Sequence, residues 1–154
     1  MEQDLLAVED LFAIGPATPE NLGRQTITTA ELLRETLVLP NRPHILRTIA
    51  DGLGVPDTSV MEVNAITLMF EMARTGHGYA VLPGNSLSPA IASKDVVALK
   101  IIEPALTWEV SIWYSCLQPL SESAQMIRKL LREEIVRLIE EGQWSARLVE
   151  SGTS

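Results

Sequence analysis

The sequence is poor in the residues that build metal sites and nucleophilic centres, with one cysteine and two histidines among 154 residues. A single cysteine excludes an internal disulfide, and Cys116 ends an apolar run, which predicts a small, reduced and buried side chain. Cys116, His44 and His77 lie far apart along the chain, so the sequence predicts no zinc site. It contains no Gly-x-Ser-x-Gly motif and no glycine-rich phosphate loop. We therefore predict no catalytic residue, no cofactor and no enzymatic activity.

Positive charge and long apolar runs are also scarce. Twelve basic residues stand against 20 acidic ones, for a net charge of −8, and no more than two basic residues adjoin, at Arg128-Lys129. Phosphate binding needs a basic patch, so this segment is not expected to contact DNA itself. No apolar stretch is long enough to span a membrane, and the opening Met1-Glu2-Gln3-Asp4 lacks a basic signal-peptide start. These features predict a cytoplasmic protein without a membrane segment.

The sequence does contain an alternation of short apolar runs and helical patterns. Loops are predicted at Thr18–Gln25 and in the turn-rich stretch Asn85–Ser93. The runs predict strands at Leu11–Ile14, Thr36–Leu39, Val60–Val63, Tyr79–Leu82, Val96–Ile102 and Trp108–Tyr114. Such alternation predicts an α/β fold with mostly parallel strands, and an antiparallel addition where only Glu103 to Thr107 separates the last two strands.

Local signals place the predicted helices. Thr28 or Thr29 can cap a short helix, and Pro43 suits the first turn of the next, where its missing N–H costs nothing. Gly76 is a plausible end for a helix that starts near Ile66. A long helix is predicted from Ser121 onward. Glu133 and Arg137 are expected to pair at i,i+4 on its solvent-exposed face.

Two strand-to-helix junctions form the candidate binding site. Parallel neighbouring strands would bring two helix N-termini together at the carboxyl edge of the sheet, where α/β proteins bind ligands and where free N–H groups favour anions. Three alternatives stay open: Pro43 as a helix-starting device, His44 as a solvated side chain and Asn64 as a helix cap. Arg42 and His44 add candidate donors at this edge.

The order and spacing of several segments resemble those of the effector-binding domain of LysR-type transcriptional regulators. The match lies in a strand, a helix ending in Gly76-His77-Gly78 and a strand ending in Leu82-Pro83. Further similar segments are Val8–Ala17, Pro43–Arg47, Leu120-Ser121 with the long helix, and Gly142–Trp144, so that the resemblance covers nearly the whole chain.

The resemblance implies a periplasmic-binding-protein-like fold. Residues of about 16–90 would form a complete second subdomain, and residues 1–15 and about 95–145 would cross over and return to a partial first subdomain. The chain 1–154 would be the C-terminal part of an effector-binding domain. The resemblance implies a regulator that binds a small acidic metabolite, such as an organic acid or an amino acid, between its subdomains. Carried over to this sequence, the effector-binding residues would be Arg42, Pro43, His44 and Ile45 at the first junction, and Asn64, Ala65 and Ile66 at the second. That regulator would control DNA through a winged helix-turn-helix that this sequence lacks.

Association with a second copy is also expected, because a partial sheet leaves an unpaired edge and an uncovered apolar face. The helix with Leu46-Arg47-Thr48-Ile49 is a candidate interface, and packing on its own sheet is the alternative. Another function class with the same architecture is a stand-alone solute-binding module of the periplasmic type. That class needs an export signal, which the opening residues do not show.

Overall fold

A computed structural model describes residues 1–86 and 95–149. The strands are β1 (Glu2–Pro16), β2 (Thr26–Thr28), β3 (Leu37–Leu39), β4 (Val60–Glu62), β5 (Tyr79–Pro83), β6 (Val96–Ile102), β7 (Thr107–Tyr114) and β8 (Ala146–Leu148). The α-helices are α1 (Pro19–Leu22), α2 (Thr29–Leu32), α3 (Ile45–Gly52), α4 (Ile66–Arg74) and α5 (Glu122–Glu140). Short 3-10 turns lie at Asp57–Ser59 and Gly84–Ser86. Most of the turn-rich stretch predicted at Asn85–Ser93 lies outside the described residues.

The chain forms two compact units. Unit 1 contains Met1–Asp10 and the chain from Thr107 onward, and unit 2 contains Leu11–Leu106. Strand β1 contributes its first part to unit 1 and its last part to unit 2, so one continuous strand serves both cores.

Unit 2 is built on the strand order β2-β6-β1-β5-β3-β4. The pairs β2–β6, β3–β5 and β3–β4 are parallel, as the sequence predicts, whereas β1 runs antiparallel to both β5 and β6. Near-continuous apolar runs suit strands that are covered on both faces. The fully buried side chains of this sheet include Leu11, Ile14, Val38, Leu39, Leu99 and Ile101.

Unit 1 holds the first part of β1 between two antiparallel partners. β7 pairs from Glu2 opposite Tyr114 to Asp10 opposite Thr107, and β8 pairs Ala7 with Leu148. Helix α5 begins where the sequence predicts, because the Ser121 hydroxyl accepts the Ala124 N–H at 3.2 Å. Gly142, with φ of +69°, follows its end. The short strand β8 was not predicted, because three residues carry too little periodicity.

Several local predictions need correction. Strand β1 has 15 residues rather than the four of Leu11–Ile14, because acidic residues interrupt the apolar pattern of its first part. The predicted loop Thr18–Gln25 contains α1, which Thr18 caps. Arg137 pairs with Glu134 and Glu141 rather than with Glu133.

The prediction for the cysteine also needs correction. Cys116 is an exposed free thiol, not a buried one. The apolar alternation ends with β7 at Tyr114, two residues before the cysteine. The thiol therefore lies beyond the strand, outside the part of unit 1 that the strands bury.

A buried carboxylate in unit 1 forms hydrogen bonds with residues on both sides of β1. Glu9 on β1 is 0% exposed, and its two oxygens accept the indole N–H groups of Trp108 and Trp144, each at 2.8 Å. Trp108 belongs to β7, and Trp144 stands just before β8. Next to it, Arg147 of β8 donates to Asp10 at 3.0 Å. A buried carboxylate is tolerated only when hydrogen bonds satisfy its oxygens, so Glu9 holds both flanking strands to β1.

We expect Glu9→Ala to lower the free energy of unfolding by about 2–4 kcal/mol, because it leaves two indole donors without their acceptor. Urea unfolding followed by circular dichroism measures the change. The matched control is Glu109→Ala on the exposed face of β7, which should stay within about 0.5 kcal/mol of wild type. Equal effects of the two substitutions would show that the Glu9 contacts do not hold unit 1 together.

Candidate functional site

The two predicted junctions lie side by side. β3 and β4 are parallel neighbours, with Leu39 opposite Glu62. Beyond the strand ends, the Val63 N–H donates to the Leu39 carbonyl at 2.9 Å and the Asn41 N–H donates to Asn64 Oδ1 at 3.0 Å. The segments that lead into α3 and α4 are therefore joined by direct hydrogen bonds.

Helix α3 starts with a histidine cap. His44 has an extended backbone, and its Nδ1 accepts the Leu46 N–H at 3.2 Å. With Nδ1 as acceptor, a neutral ring carries its proton on Nε2, which leaves Nε2–H as a donor. The helix begins at Ile45, so Pro43 precedes the cap instead of occupying the first turn, and His44 is more than a solvated side chain.

Helix α4 starts without a side-chain cap. Its cap position is Ala65, and within the described part of the chain no side chain accepts a hydrogen bond from its first turn. Asn64 does not fill the cap role that was considered for it, because its carboxamide oxygen accepts from Asn41. The first N–H groups of a helix have no partner within the helix. Those of α4 therefore remain available at a junction where Asn64, Ala65 and Ile66 are all exposed.

Arg42 is held by carboxylates of its own unit. Its Nε and Nη2 donate to the two oxygens of Asp51, each at 2.8 Å, and Nη2 also donates to Asp57 at 2.9 Å. The hydrogen bond with Asp51, followed by that with Asp57, raises the pKa of the guanidinium. The Arg42 hydrogen bonds are likewise the largest cause that lowers the pKa of Asp51 and of Asp57.

A second arginine, which the sequence analysis did not assign to the site, lies beneath Arg42. Arg47 is 1% exposed, and it donates from Nε to Asp51 at 3.2 Å and from Nη2 to Asp57. Its Nη1 lies 3.4 Å from Glu62, an ion-pair contact without hydrogen-bond geometry. The i,i+4 spacing of Arg47 and Asp51 was a sequence signal for one of these pairs. The pairs with Asp57 and Glu62 depend on tertiary contacts.

The junctions also carry exposed apolar surface. Ile45 is 49% exposed and Ile66 is 47% exposed, one at the start of each helix. All seven predicted site residues therefore lie in the two joined segments and are open to solvent. Ligand sites combine apolar walls with a few fixed polar groups, and these two segments supply both kinds of surface.

Metal-ligand clusters, membrane-length helices and cavities complete the description of the surface. Among residues 1–86 and 95–149, no cluster of three or more His, Cys, Asp or Glu side chains is arranged to hold a metal ion. The same residues contain no helix with the length and apolarity to cross a membrane. Two cavities, of about 510 Å³ in unit 1 and about 290 Å³ in unit 2, are lined by residues outside the seven of the candidate site.

The comparisons with known proteins agree with the fold. The profile of the LysR substrate binding domain matches residues 2–136, which is most of the chain. The chain therefore belongs to the LysR substrate binding domain family, and the family predicted from the sequence is confirmed. Its fold is the α/β, periplasmic-binding-protein-like fold of LysR regulatory domains.

Several solved structures share this fold. A full-length BenM mutant is 16% identical, with a TM-score of 0.66, and aligns over 92% of this chain and 47% of its own. The reduced form of OxyR is 20% identical, with a TM-score of 0.74, over 87% of this chain and 64% of its own. The effector-binding domain of QuiR, in complex with shikimate, is 12% identical, with a TM-score of 0.68, over 86% of this chain and 64% of its own.

The extent of these matches limits what they show. The chain spans about half of the full-length BenM chain and under two thirds of the OxyR and QuiR chains. Identities this low show the fold alone. No curated protein sequence matches the chain significantly.

The arginine–carboxylate contacts predict a dependence of stability on pH. Asp51 and Asp57 have folded-state pKa values below their ordinary value of 3.8. Their contribution to stability is therefore present above that value and is lost as the pH falls through the folded-state pKa. In Arg42→Gln, the largest cause of the shift is removed, so the urea midpoint should fall less steeply below about pH 4 than in wild type.

The control is Arg34→Gln, at another exposed arginine of unit 2, which should keep the wild-type pH profile. Identical acid profiles of wild type and Arg42→Gln would contradict the role of Arg42 in depressing the two pKa values.

Proposed function

We propose that the chain is the effector-sensing part of a LysR-type regulator and binds a small organic acid or amino acid where α3 and α4 begin. In this proposal, unit 2 is the second subdomain and unit 1 is part of the first. The chain performs no catalysis. DNA binding belongs to a winged helix-turn-helix domain outside this sequence, in agreement with the net charge of −8.

The observation that carries the proposal is the uncapped start of α4. Ala65 at the cap position offers no acceptor to the first-turn N–H groups, and the neighbouring side chains are exposed. Unpartnered N–H groups together with the positive end of the helix dipole bind carboxylates and phosphates. A carboxylate ligand would supply the acceptor that the sequence does not.

The other site residues have separate roles in the proposal. Arg42, which Asp51 and Asp57 hold, and Pro43 set the path of the first segment. His44 offers the donor Nε2–H while its Nδ1 caps α3. Ile45 and Ile66 supply the apolar walls, and Asn64 holds the two segments together through Asn41.

The QuiR structure supports the chemistry of the ligand. That effector-binding domain was solved in complex with shikimate, which carries one carboxylate on a small hydroxylated ring. Because the similarity to this chain is one of fold, shikimate serves as the first probe of a panel of small carboxylates and amino acids. Signalling requires that the ligand bind one arrangement of the protein more tightly than another.

We also propose that two copies of the chain associate, as the partial sheet led us to expect. The face of α3 that was a candidate interface is unsuitable at two of its four positions. Leu46 is 4% exposed and Arg47 is 1% exposed, so both are buried within their own unit. These two residues fit the alternative considered for this helix, which is that it packs on its own sheet.

The sharpest test of the effector site is Ala65→Asp. An aspartate at the cap position accepts from the first turn of α4 and should raise the free energy of unfolding by about 1 kcal/mol. The same carboxylate occupies the donors that the ligand needs, so binding should weaken at least about tenfold. Thermal shift and calorimetric titration with the panel measure both effects, which have opposite signs and so cannot arise from misfolding.

The matched control is Ala65→Gly, which adds no acceptor and should bind as wild type does. A ligand that binds wild type and Ala65→Asp equally would place the site elsewhere. Failure of every carboxylate and amino acid in the panel to raise the melting temperature would contradict the effector class itself.

A further inference from the structure

The arginines and carboxylates beside the candidate site carry more negative than positive charge. Two guanidiniums contact three carboxylates, and we call these five residues the arginine–carboxylate cluster. Its members are Arg42, Arg47, Asp51, Asp57 and Glu62. Two positive charges against three negative ones leave the cluster with a formal net charge of −1 at neutral pH.

Glu62 is the member of the cluster that precedes the start of α4 most closely along the chain. It ends β4, and Ala65 at the cap position of α4 follows three residues later. Three steps of 3.8 Å between successive Cα atoms keep the Cα atoms of these two residues within roughly 11 Å of each other. Because the Debye length is about 10 Å at 0.1 M salt, the charge of Glu62 is only partly screened from a ligand at the helix start.

The Glu62 carboxylate also keeps capacity to accept hydrogen bonds. Its Oε1 lies 3.4 Å from Nη1 of Arg47, and that nitrogen has no hydrogen-bond partner. Asp51 and Asp57, by contrast, accept hydrogen bonds from both arginines. The Glu62 side chain is 51% exposed, and a carboxylate can accept about four hydrogen bonds. Glu62 is therefore the carboxylate of the cluster with the most capacity left for a ligand.

Arg42 does not offset this negative charge for a ligand. Its Nε and Nη2 donate to Asp51 and Asp57, so its guanidinium is directed at carboxylates of its own unit. The start of α4 supplies a positive potential equivalent to about half an elementary charge. That potential suits one carboxylate of a ligand. A second carboxylate would be repelled by the net charge of the cluster, whereas an ammonium group would be attracted to it.

We propose that Glu62 is a specificity-determining residue of the effector site, and that the effector is an amino acid rather than a dicarboxylic acid. The first N–H groups of α4 donate to the ligand carboxylate, and Glu62 stabilises the ligand ammonium. The inference rests on the proposed function, because it narrows the ligand class of the same site.

Ligands with matched carbon skeletons test the charge preference by calorimetric titration of the full chain. The probes are butyrate, 2-aminobutyrate, 4-aminobutyrate and succinate, which share four carbon atoms and a carboxylate. The two aminobutyrates add an ammonium at different distances, and succinate adds a second carboxylate. Relative to butyrate, the better-bound aminobutyrate should bind about fivefold more tightly and succinate about fivefold more weakly.

Glu62→Gln tests the residue, because it removes the charge and keeps the size of the side chain. The aminobutyrate should then bind about fivefold more weakly than to wild type, and succinate about fivefold more tightly, while butyrate should change little. Changes of opposite sign for two ligands cannot arise from misfolding. The matched control is Glu35→Gln, an exposed glutamate before the amino end of β3, which should leave all the constants unchanged.

The outcomes separate this inference from the proposed function. Succinate that binds as tightly as the aminobutyrates, or constants that Glu62→Gln and Glu35→Gln change equally, would overturn the role of Glu62 and leave the effector site standing. The same holds if the tightest ligand of the wider panel lacks an ammonium group. Failure of the four probes and of the whole panel to bind would overturn both. Opposite changes for aminobutyrate and succinate in Glu62→Gln alone would support the amino-acid effector.

Discussion

The pairing of β1 is the constraint on which both units depend. Its 15 residues make antiparallel ladders with β7 and β8 in unit 1 and with β5 and β6 in unit 2. Where β1 passes from unit 1 to unit 2 it carries Glu9 and Asp10, whose buried carboxylates accept from Trp108, Trp144 and Arg147. These hydrogen bonds offset the cost of burying two carboxylates in one strand.

The strand pairing of unit 2 determines where the candidate site lies. Because β5 is anchored to β1, and β3 and β4 follow β5 in parallel, the carboxyl ends of β3 and β4 come to the same edge. The helices that leave this edge differ in one respect. His44 caps α3, while Ala65 leaves the start of α4 without an acceptor. In our proposal, this local difference in cap chemistry gives the site its preference for anions.

Much of the fold could be predicted because its signals are local. Thr28 and Ser121 mark helix starts, because their own hydroxyl groups cap the helices that follow. The apolar runs at Val38 and Val81 are typical of strands that are covered on both faces. The site residues could be placed on adjacent junctions for the same reason. What could not be predicted depends on contacts distant in sequence: the length of β1, the carboxylates that hold Arg42 and Arg47, and the link from Asn64 to Asn41.

The most direct test of the central claim, that the start of α4 receives an acidic effector, is a titration of the backbone amides by two-dimensional NMR with the panel carboxylate that binds most tightly. The account predicts the largest shifts at the amides of Ile66, Thr67 and Leu68, because a carboxylate there accepts from first-turn N–H groups. Smaller shifts are expected at His44 and Asn41. Shifts confined to the residues around the cavities of unit 1 or unit 2, with the α4 amides unchanged, would contradict it.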